Sequence, residues 1–417
     1  MTGILGTLDI IFWGVLTFSI LVVLHEGGHF LAARAFGVKV HEFMIGLPGP
    51  ALRLRTKSMD WGITAIPLGG YVRIAGMEPG PEDELLGPAL DAVARAGRLH
   101  LGALTAELGV DVARATTVIT TLEDWGALVE PEDDVVMLAD SLDKTLTGSA
   151  LLDAARRRTY RGLTTWKRLV VLSAGVVVNL LTAIAVFTVV LSTWGTYEPS
   201  TVLEAVNPAS PAAEAGLLPG DRLVSFEGMT VESWIGFLEL MAATDAGDTV
   251  TIGVERSGVS FTYDAVLAGR DGHGFLGVGP TFAKVQYSVP QAIGQGFAWT
   301  GEVFKAIVDF FRPATFSRSV ESARGVVGIS IMAADAAKAG PLDYAWLIAL
   351  LSLSLGAMNI LPIPPLDGGK VAVEIIERAA GRPLGRRFSI AVSAAGAVLL
   401  FSLIGYIMYA DVMRLAQ

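Results

Sequence analysis

The sequence predicts a polytopic α-helical membrane protein with four transmembrane helices, a membrane-associated β element, a small α+β cytoplasmic insert and a β-rich extracytoplasmic domain. Three observations lead there. Hydrophobic residues make up 52% of the 417-residue chain and charged residues only 17%, against about 25% charged in an ordinary soluble protein. The apolar excess is gathered into long uncharged runs. Lys and Arg cluster beside those runs in a way that places them all on one side.

Residues 169–197, 344–366 and 388–410 contain no Asp, Glu, Lys or Arg. Each reaches the roughly 20 residues that a helix needs to cross a ~30 Å hydrocarbon core. A shorter uncharged run, 10–24, continues through His25–His29 into Phe30-Leu-Ala-Ala. The four helices are assigned to residues 5–36, 168–195, 343–367 and 387–410. No Lys or Arg precedes Arg34, so the first run lacks the basic segment of a cleaved signal peptide.

Orientation follows from the basic residues. Arg34, Lys39, Arg53, Arg55, Lys57 and Arg73 follow the first helix. Arg156, Arg157, Arg158, Arg161, Lys167 and Arg168 precede the second, and Arg378, Arg382, Arg386 and Arg387 lie between the third and fourth. All three clusters are cytoplasmic if both termini are outside, which makes the stretch between the second and third helices extracytoplasmic.

Residues 45–77 read as the β element. Trp61 to Ile74 is short alternating strand punctuated by Gly and Pro, consistent with a hairpin returning toward the membrane. Residues 78–155 turn soluble in composition. Helices are expected over Pro88–Ala96, Leu101–Leu108 and Val112–Trp125, then a hairpin around Pro131–Asp134. Leu90, Val93, Leu101, Leu104, Leu108, Val118, Leu122, Leu128 and Val136 are the candidate core. Three helices and a hairpin resemble a winged-helix module. Acidic residues outnumber basic ones here, whereas a DNA-binding face needs cations against phosphates. The expectation is a protein-contact module for a basic partner, with no nucleic acid bound.

Residues 198–270 alternate strand and short helix and read as the compact extracytoplasmic domain. In the helical region 288–340, Phe297, Trp299, Phe304, Phe310 and Phe311 suit either a helix along the outer membrane face or a buried packing helix.

The chemistry centres on His25-Glu-Gly-Gly-His29. Two histidines four apart share one helix face and can grip one Zn²⁺, with Glu26 beside them to act as a base toward water. Ionisable residues at the end of an apolar run are costly and usually functional. A hydrolytic zinc needs a third protein ligand and an open position. There is no cysteine, and His41, His100 and His273 fall outside the membrane segments. Asp367, in Asn359-Ile-Leu-Pro-Ile-Pro-Pro-Leu-Asp-Gly-Gly369, is the better candidate. It sits at the cytoplasmic end of the third helix, where prolines break the helix and glycines permit a tight turn.

HExxH in a first membrane helix together with NxxPxPxLDGG in a later one resembles the site-2 protease family, above all its bacterial inner-membrane members. Pro208-Ala-Ser-Pro-Ala-Ala-Glu-Ala-Gly-Leu-Leu-Pro-Gly-Asp221 resembles the PDZ family. The resemblance covers the membrane core and the extracytoplasmic domain but not residues 78–155. It implies one zinc per chain held by His25, His29 and Asp367, Glu26 as catalytic acid/base, and Asn359 on the substrate or the oxyanion. It also implies that Gly69, Gly70 and Tyr71 guide an unwound substrate from a membrane-reentrant strand. PDZ domains bind extended peptides by strand addition, here in a groove near Leu217, Leu218 and Gly220. Ala174-Gly-Val-Val-Val-Asn179 is similar to the family's second-helix motif. Two departures are visible: Val176 where the family often has proline, and Ser354 where relatives carry another asparagine.

The implied activity is zinc-dependent cleavage of membrane proteins in or beside the bilayer. The implied substrates are single-pass, pre-cut proteins such as anti-sigma factors or signal-peptide remnants. The rivals are an inactive membrane scaffold whose PDZ domain binds protein tails, and a metal transporter. Four intact residues of catalytic type argue against the first, and a single cluster of metal-type residues against the second.

Overall fold

The computed structural model describes residues 4–56, 59–66, 69–78, 80–132, 134–270, 273–310, 312 and 323–415. Lys57, Pro67, Leu68, Asp133, Phe311 and the stretch 313–322 of the expected helical region lie outside the described residues. Contacts divide the chain into two compact units, Met1–Phe187 with Ile293–Gln417, and Thr188–Ala292.

The first unit opens with helix α1 (Ile4–Ala35). Four strands follow: β1 (Val40–Ile45), β2 (Ala51–Arg55), β3 (Asp60–Thr64) and β4 (Gly70–Ile74). They form one sheet in the order β2-β3-β1-β4, with β1 parallel to β3 and antiparallel to β4. The β2–β3 hairpin fits the local alternation, whereas β4 pairs with β1, across the whole element. The sheet is amphipathic. Leu52, Leu54 and Ile63 are exposed on one face, where Phe43 and Trp61 meet Phe30 of α1 edge-on. Arg53, Arg73 and Tyr71 gather around Glu42 on the other.

The insert folds as α2 (Leu86–Ala96), β5 (Arg98–His100), α3 (Leu101–Leu108), α4 (Val112–Asp124), β6 (Leu128–Glu132), β7 (Val135–Leu138) and α5 (Gly148–Arg156). Its strands pair in the order β5-β7-β6, so a short strand precedes the second helix and completes a winged-helix order. Leu90, Val93, Leu104, Val118, Leu122, Leu128 and Val136 are buried together with Leu86, Trp125 and Leu151, and Leu101 and Leu108 pack on them half-buried. Each buried leucine contributes about 1.5–3 kcal/mol. The Asp111 side chain accepts the Arg114 N–H and caps α4. At the other end of α4, Asp124 ties the insert to the sheet. Its carboxylate accepts the Gly76 N–H at 2.9 Å, and its carbonyl lies 2.6 Å from His41 Nε2. The chain then closes on itself, the Tyr160 N–H donating to the Ala75 carbonyl at 2.8 Å, and enters α6 (Thr165–Thr193).

The second unit contains β8 (Thr196–Val206), α7 (Pro211–Ala215), β9 (Arg222–Phe226), β10 (Met229–Thr230), α8 (Trp234–Met241), β11 (Thr249–Arg256), β12 (Val259–Val266), β13 (Ala268–Arg270), β14 (His273–Phe275) and β15 (Val278–Val285). The main sheet runs β12-β11-β9-β8-β15 over a core that includes Leu203, Leu223, Phe226, Phe237 and Ile252. The sheet therefore continues past the expected end at residue 270, because β15 pairs with β8. Asp221, fully buried, accepts from the Leu218 N–H and from Arg256 Nε and Nη2 at 2.6 and 2.8 Å.

The chain returns through α9 (Val289–Phe310), α10 (Val326–Ala339), α11 (Pro341–Ile360), α12 (Asp367–Ala380) and α13 (Arg386–Leu415). On α9, Trp299 makes edge-on contact with Phe187 and Trp346, while Phe297 stays exposed, so this helix has one packed and one free face. The Asp411 carboxylate of α13 accepts the Gly325 and Gly328 N–H groups at the start of α10. Among the described residues four helices, α1, α6, α11 and α13, are long and apolar enough to cross a membrane. The third expected span, 343–367, is shorter than assigned. Pro362, Pro364 and Pro365 cannot donate to a helix, so α11 stops at Ile360 and Asp367 opens a separate helix.

Candidate metal centre

The i,i+4 spacing places His25 and His29 on one face of α1, and both are buried. Across from them Asp367 stands in the first turn of α12, also buried. Asp367 Oδ2 lies 3.0 Å from Nε2 of His25 and 3.0 Å from Nε2 of His29. Three potential ligand atoms thus lie within 4.8 Å of one another, close enough for a single ion with bonds of ~2.0–2.2 Å.

The surroundings orient the ligands. His29 Nδ1 donates to the Val171 carbonyl at 2.7 Å, which leaves the Nε2 lone pair for a metal. Asp367 Oδ1 accepts from Lys370 Nζ at 3.0 Å, which leaves Oδ2 on the histidine side. Burial alone would raise the Asp367 carboxyl. Hydrogen bonds to His25 and His29 and the Lys370 charge outweigh it and hold the group well below the usual carboxylate range.

The second helix closes the site from behind. A Cβ on Gly175 would fall 2.4 Å from His29 Nε2, and one on Gly28 would fall 2.5 Å from the Ala174 carbonyl oxygen. Only glycine at these two places lets α1 and α6 approach this closely. Fully buried Asn179 comes next on α6, its Nδ2 3.2 Å from His25 Nδ1, while its Oδ1 has no partner. Amide N and O are assigned from the hydrogen-bond network. The flipped amide satisfies the orphaned oxygen with the His25 Nδ1–H and frees Nε2 of His25 as well. The donor set fits zinc: two imidazole nitrogens, one carboxylate oxygen, no fourth ligand in the cluster among the described residues, and hydrogen-bond partners that orient the ligands. Gly175 and Asn179 were legible only within the Ala174–Asn179 motif, and Val171 was missed; the signal is an i, i+4, i+8 stripe along α6.

Glu26 directly follows His25 on α1. Strand β4, an end strand of its sheet, runs beside it: a Cβ on Gly70 would fall 2.3 Å from Val22 Cγ1 and 3.7 Å from Glu26 Cγ. Gly69 has φ +92°, which suits glycine. Tyr71 turns to the charged face of the sheet and donates to Glu42 at 2.9 Å. Buried Asn359 donates to the Leu355 carbonyl of its own helix at 2.9 Å. His41, His100 and His273 take no part in the cluster.

The groove expected near Leu217, Leu218 and Gly220 needs correction. Leu217 is in the core, and the Gly220 N–H donates to the Leu203 carbonyl at 2.8 Å, so this turn is closed onto β8. Strand addition requires an unpaired edge, and the end strands of that sheet are β12 and β15.

HExxH on a membrane-type helix with a distant aspartate beside both histidines is an arrangement suited to a metal-dependent hydrolase. Comparison with known proteins makes the class specific. The profile of peptidase family M50 matches residues 13–403, and the chain belongs to that family, the site-2 proteases. The zinc metalloprotease RasP of Bacillus licheniformis is 27% identical over 96% of this chain and 98% of its own. Metalloprotease MmpA of Caulobacter vibrioides is 27% identical over 94% and 92%, and a relative from Mesorhizobium japonicum is 30% identical over 98% of both chains. Among solved structures, the PDZ domain of an SdrC-like protein from Listeria innocua is 22% identical, covering 19% of this chain and 92% of that one at a TM-score of 0.18. The protein is a zinc metalloprotease with several membrane-type helices.

Proposed function

We propose that this protein hydrolyses peptide bonds in or beside the transmembrane segments of single-pass membrane proteins. The observation that carries the reading is the position of the metal-ligand cluster. It is buried between membrane-type helices and flanked by the open edge of β4 at Gly70. A substrate helix has its carbonyls tied up in hydrogen bonds and must unwind before attack. An extended segment added to the edge of β4 is held with its backbone beside Glu26.

Zinc, when bound, acidifies water and polarises the scissile carbonyl. His25, His29 and Asp367 hold it, with Val171, Asn179 and Lys370 fixing their orientation. Glu26 accepts the proton of the attacking water and delivers it to the leaving amine. Asn359 supports the substrate or its developing oxyanion once its amide leaves Leu355. The substrates are of the kind that a first cut leaves anchored, such as anti-sigma factors or signal-peptide remnants.

The distribution of Lys and Arg supports a bacterial inner-membrane orientation with both termini and the PDZ-type domain outside and the metal centre toward the cytoplasmic leaflet. The PDZ-type domain filters substrates by bulk or by an exposed tail offered to an end strand. The insert meets a basic protein surface and binds no nucleic acid.

The test is purified protein in liposomes with a single-pass reporter, followed by mass spectrometry of the fragments. Chelator-sensitive cleavage within or next to the reporter's membrane segment, absent from Glu26→Gln, supports the reading. Cleavage confined to soluble loops, or none by native protein holding zinc, overturns it in favour of a scaffold.

A further inference from the structure

A cavity of about 630 Å³ lies where two membrane-type helices begin. Helix α6 gives it Arg168 and Leu172, α13 gives it Ser389 and Val392, and α12 gives it Val373 and Arg378. Leu172 and Val392 stand about two turns into their helices, which start at Thr165 and Arg386. The end of a spanning helix is where lipid head groups lie, whichever way the chain is oriented. On α12, Ile375 and Ile376 are exposed, which suits the boundary between head groups and acyl chains. The cavity is as large as a pocket for a small ligand, and its wall is charged in part and apolar in part.

We propose that this cavity takes the phosphate head group of an anionic phospholipid, with the start of an acyl chain against Leu172, Val373 and Val392. Binding there needs no cleavage, so the site is testable in protein that does not turn over.

A buried hydroxyl is the first support. Ser389 is 9% exposed, and its Oγ has no hydrogen-bond partner. Its amide donates to the Gly385 carbonyl at 3.1 Å, so the amide is satisfied and the hydroxyl is left over. Leaving a buried donor unpaired is costly. A phosphate oxygen in the cavity supplies the missing acceptor.

The charges give the second support, through their partners rather than their number. Five cations and four carboxylates line the cavity. Two of the carboxylates are in ion pairs, Glu374 with Arg168 at 3.3 Å and Glu82 with Arg156, a residue outside the cavity wall. Glu377 accepts the Leu384 N–H at 2.8 Å. Burial, and then the nearby Asp124 charge, push the Glu78 carboxyl up toward its neutral form. Among the cations, Arg168 is taken by Glu374 and Lys370 by Asp367. Arg161 donates to the Glu78 and Gly80 carbonyls, which carry no formal charge. Among the described residues the Arg378 and Arg382 side chains have no hydrogen bond or ion pair. The remainder is three guanidinium groups against Glu377 and Glu78, a positive balance. Basic pockets beside membrane helices suit anionic head groups, and guanidinium pairs well with phosphate.

The experiment uses the full-length protein in detergent with equal amounts of phosphatidylglycerol and phosphatidylcholine, weighed intact by native mass spectrometry. Native protein should keep about one phosphatidylglycerol per chain and prefer it to phosphatidylcholine on the order of tenfold. The double variant Arg378→Gln, Arg382→Gln should lose that preference. Ser389→Ala should lower retention a few-fold, while its melting temperature without lipid stays at or above native, because an unpaired buried hydroxyl is gone. Arg387→Gln, at the same helix end but outside the cavity wall, should change nothing. Inorganic phosphate at millimolar concentration should not displace the lipid. Equal retention of the two lipids by native protein overturns the proposal, whatever the variants do. Undiminished preference in the double variant does the same. So does a loss in Arg387→Gln as large as in the double variant, which would mean attraction to surface charge in general. Displacement by inorganic phosphate would assign the cavity to a soluble anion and overturn the lipid reading.

Discussion

Asn179 and His25 face each other nitrogen to nitrogen, Nδ2 to Nδ1 at 3.2 Å, with the Asn179 oxygen buried and unpaired. When the amide turns, its oxygen accepts the His25 Nδ1–H and supports the ring for metal binding. Asn179→Ala should therefore weaken zinc binding by about 10–100-fold, the usual loss when a ligand's supporting partner is removed. Asn179→Asp, which keeps an acceptor at that place, should bind zinc at least as well as the native protein. Competition with a graded chelator measures both, and equal affinity in all three proteins would remove Asn179 from the site.

His29 is a candidate ligand whose ring is fixed by Val171. Native protein should carry about one zinc per chain, and His29→Ala should lose most of it. Elemental analysis after gel filtration decides the point. Full retention would move the ligand set elsewhere.

Glu26→Gln keeps the shape of the side chain and removes its ability to take a proton. Turnover should fall by on the order of 10²–10⁴, while zinc content and thermal stability stay near native. Substantial residual cleavage would mean that another base works at the site.

In the second unit, Asp221 is held below the usual carboxylate range chiefly by its hydrogen bonds with Arg256, against the opposing effect of burial. A depressed folded-state value means that the unfolded chain binds the proton more readily. The stabilisation is complete above the unfolded carboxylate value of about 4. It is lost as pH falls through the lower folded value. The isolated unit 188–292 should melt at a constant temperature from neutrality to about pH 5 as far as this group is concerned, and lower in acid. Asp221→Ala should lower Tm by on the order of 10 °C at pH 7 and lose much of the acid sensitivity. A pH profile identical in both proteins would show that Asp221 does not control it.

Removing the second unit should leave zinc binding intact and loosen selection, so that bulky uncut precursors become substrates. Because β15 pairs with β8, the deletion has to span 196–285; removing only 202–267 would leave the start of β15 without its β8 partners. An unchanged substrate set in quantitative membrane proteomics would reduce this domain to a spacer.

The cluster of His25, His29 and Asp367 was readable as a candidate site because helical periodicity is local: His25 and His29 declare a shared face in five residues. Asp367 followed from the chemistry left after cysteine was excluded. The long apolar runs were equally plain, since length and charge suffice to mark them. What escaped the sequence depends on distant pairings. The parallel β1–β3 pairing joins strands separated by another strand, and β15 returns to β8 across most of its domain. Strand β5 has three residues, too few for alternation to show. Helix α12 was hidden by reading the proline run as the end of a span, although the same prolines are what free Asp367 to begin a new helix. Asn179 drew notice through its motif, but its orphaned oxygen exists only once α6 lies against α1.

The hydrogen bond between Tyr160 and Ala75 means that the chain comes back from the insert at the point where it departed. In evolutionary terms this is a neck. A gene can acquire, exchange or shed the 78–155 module there in one recombination event, without rerouting any membrane-type helix. Lineages sharing this core are thereby free to change what that module contacts.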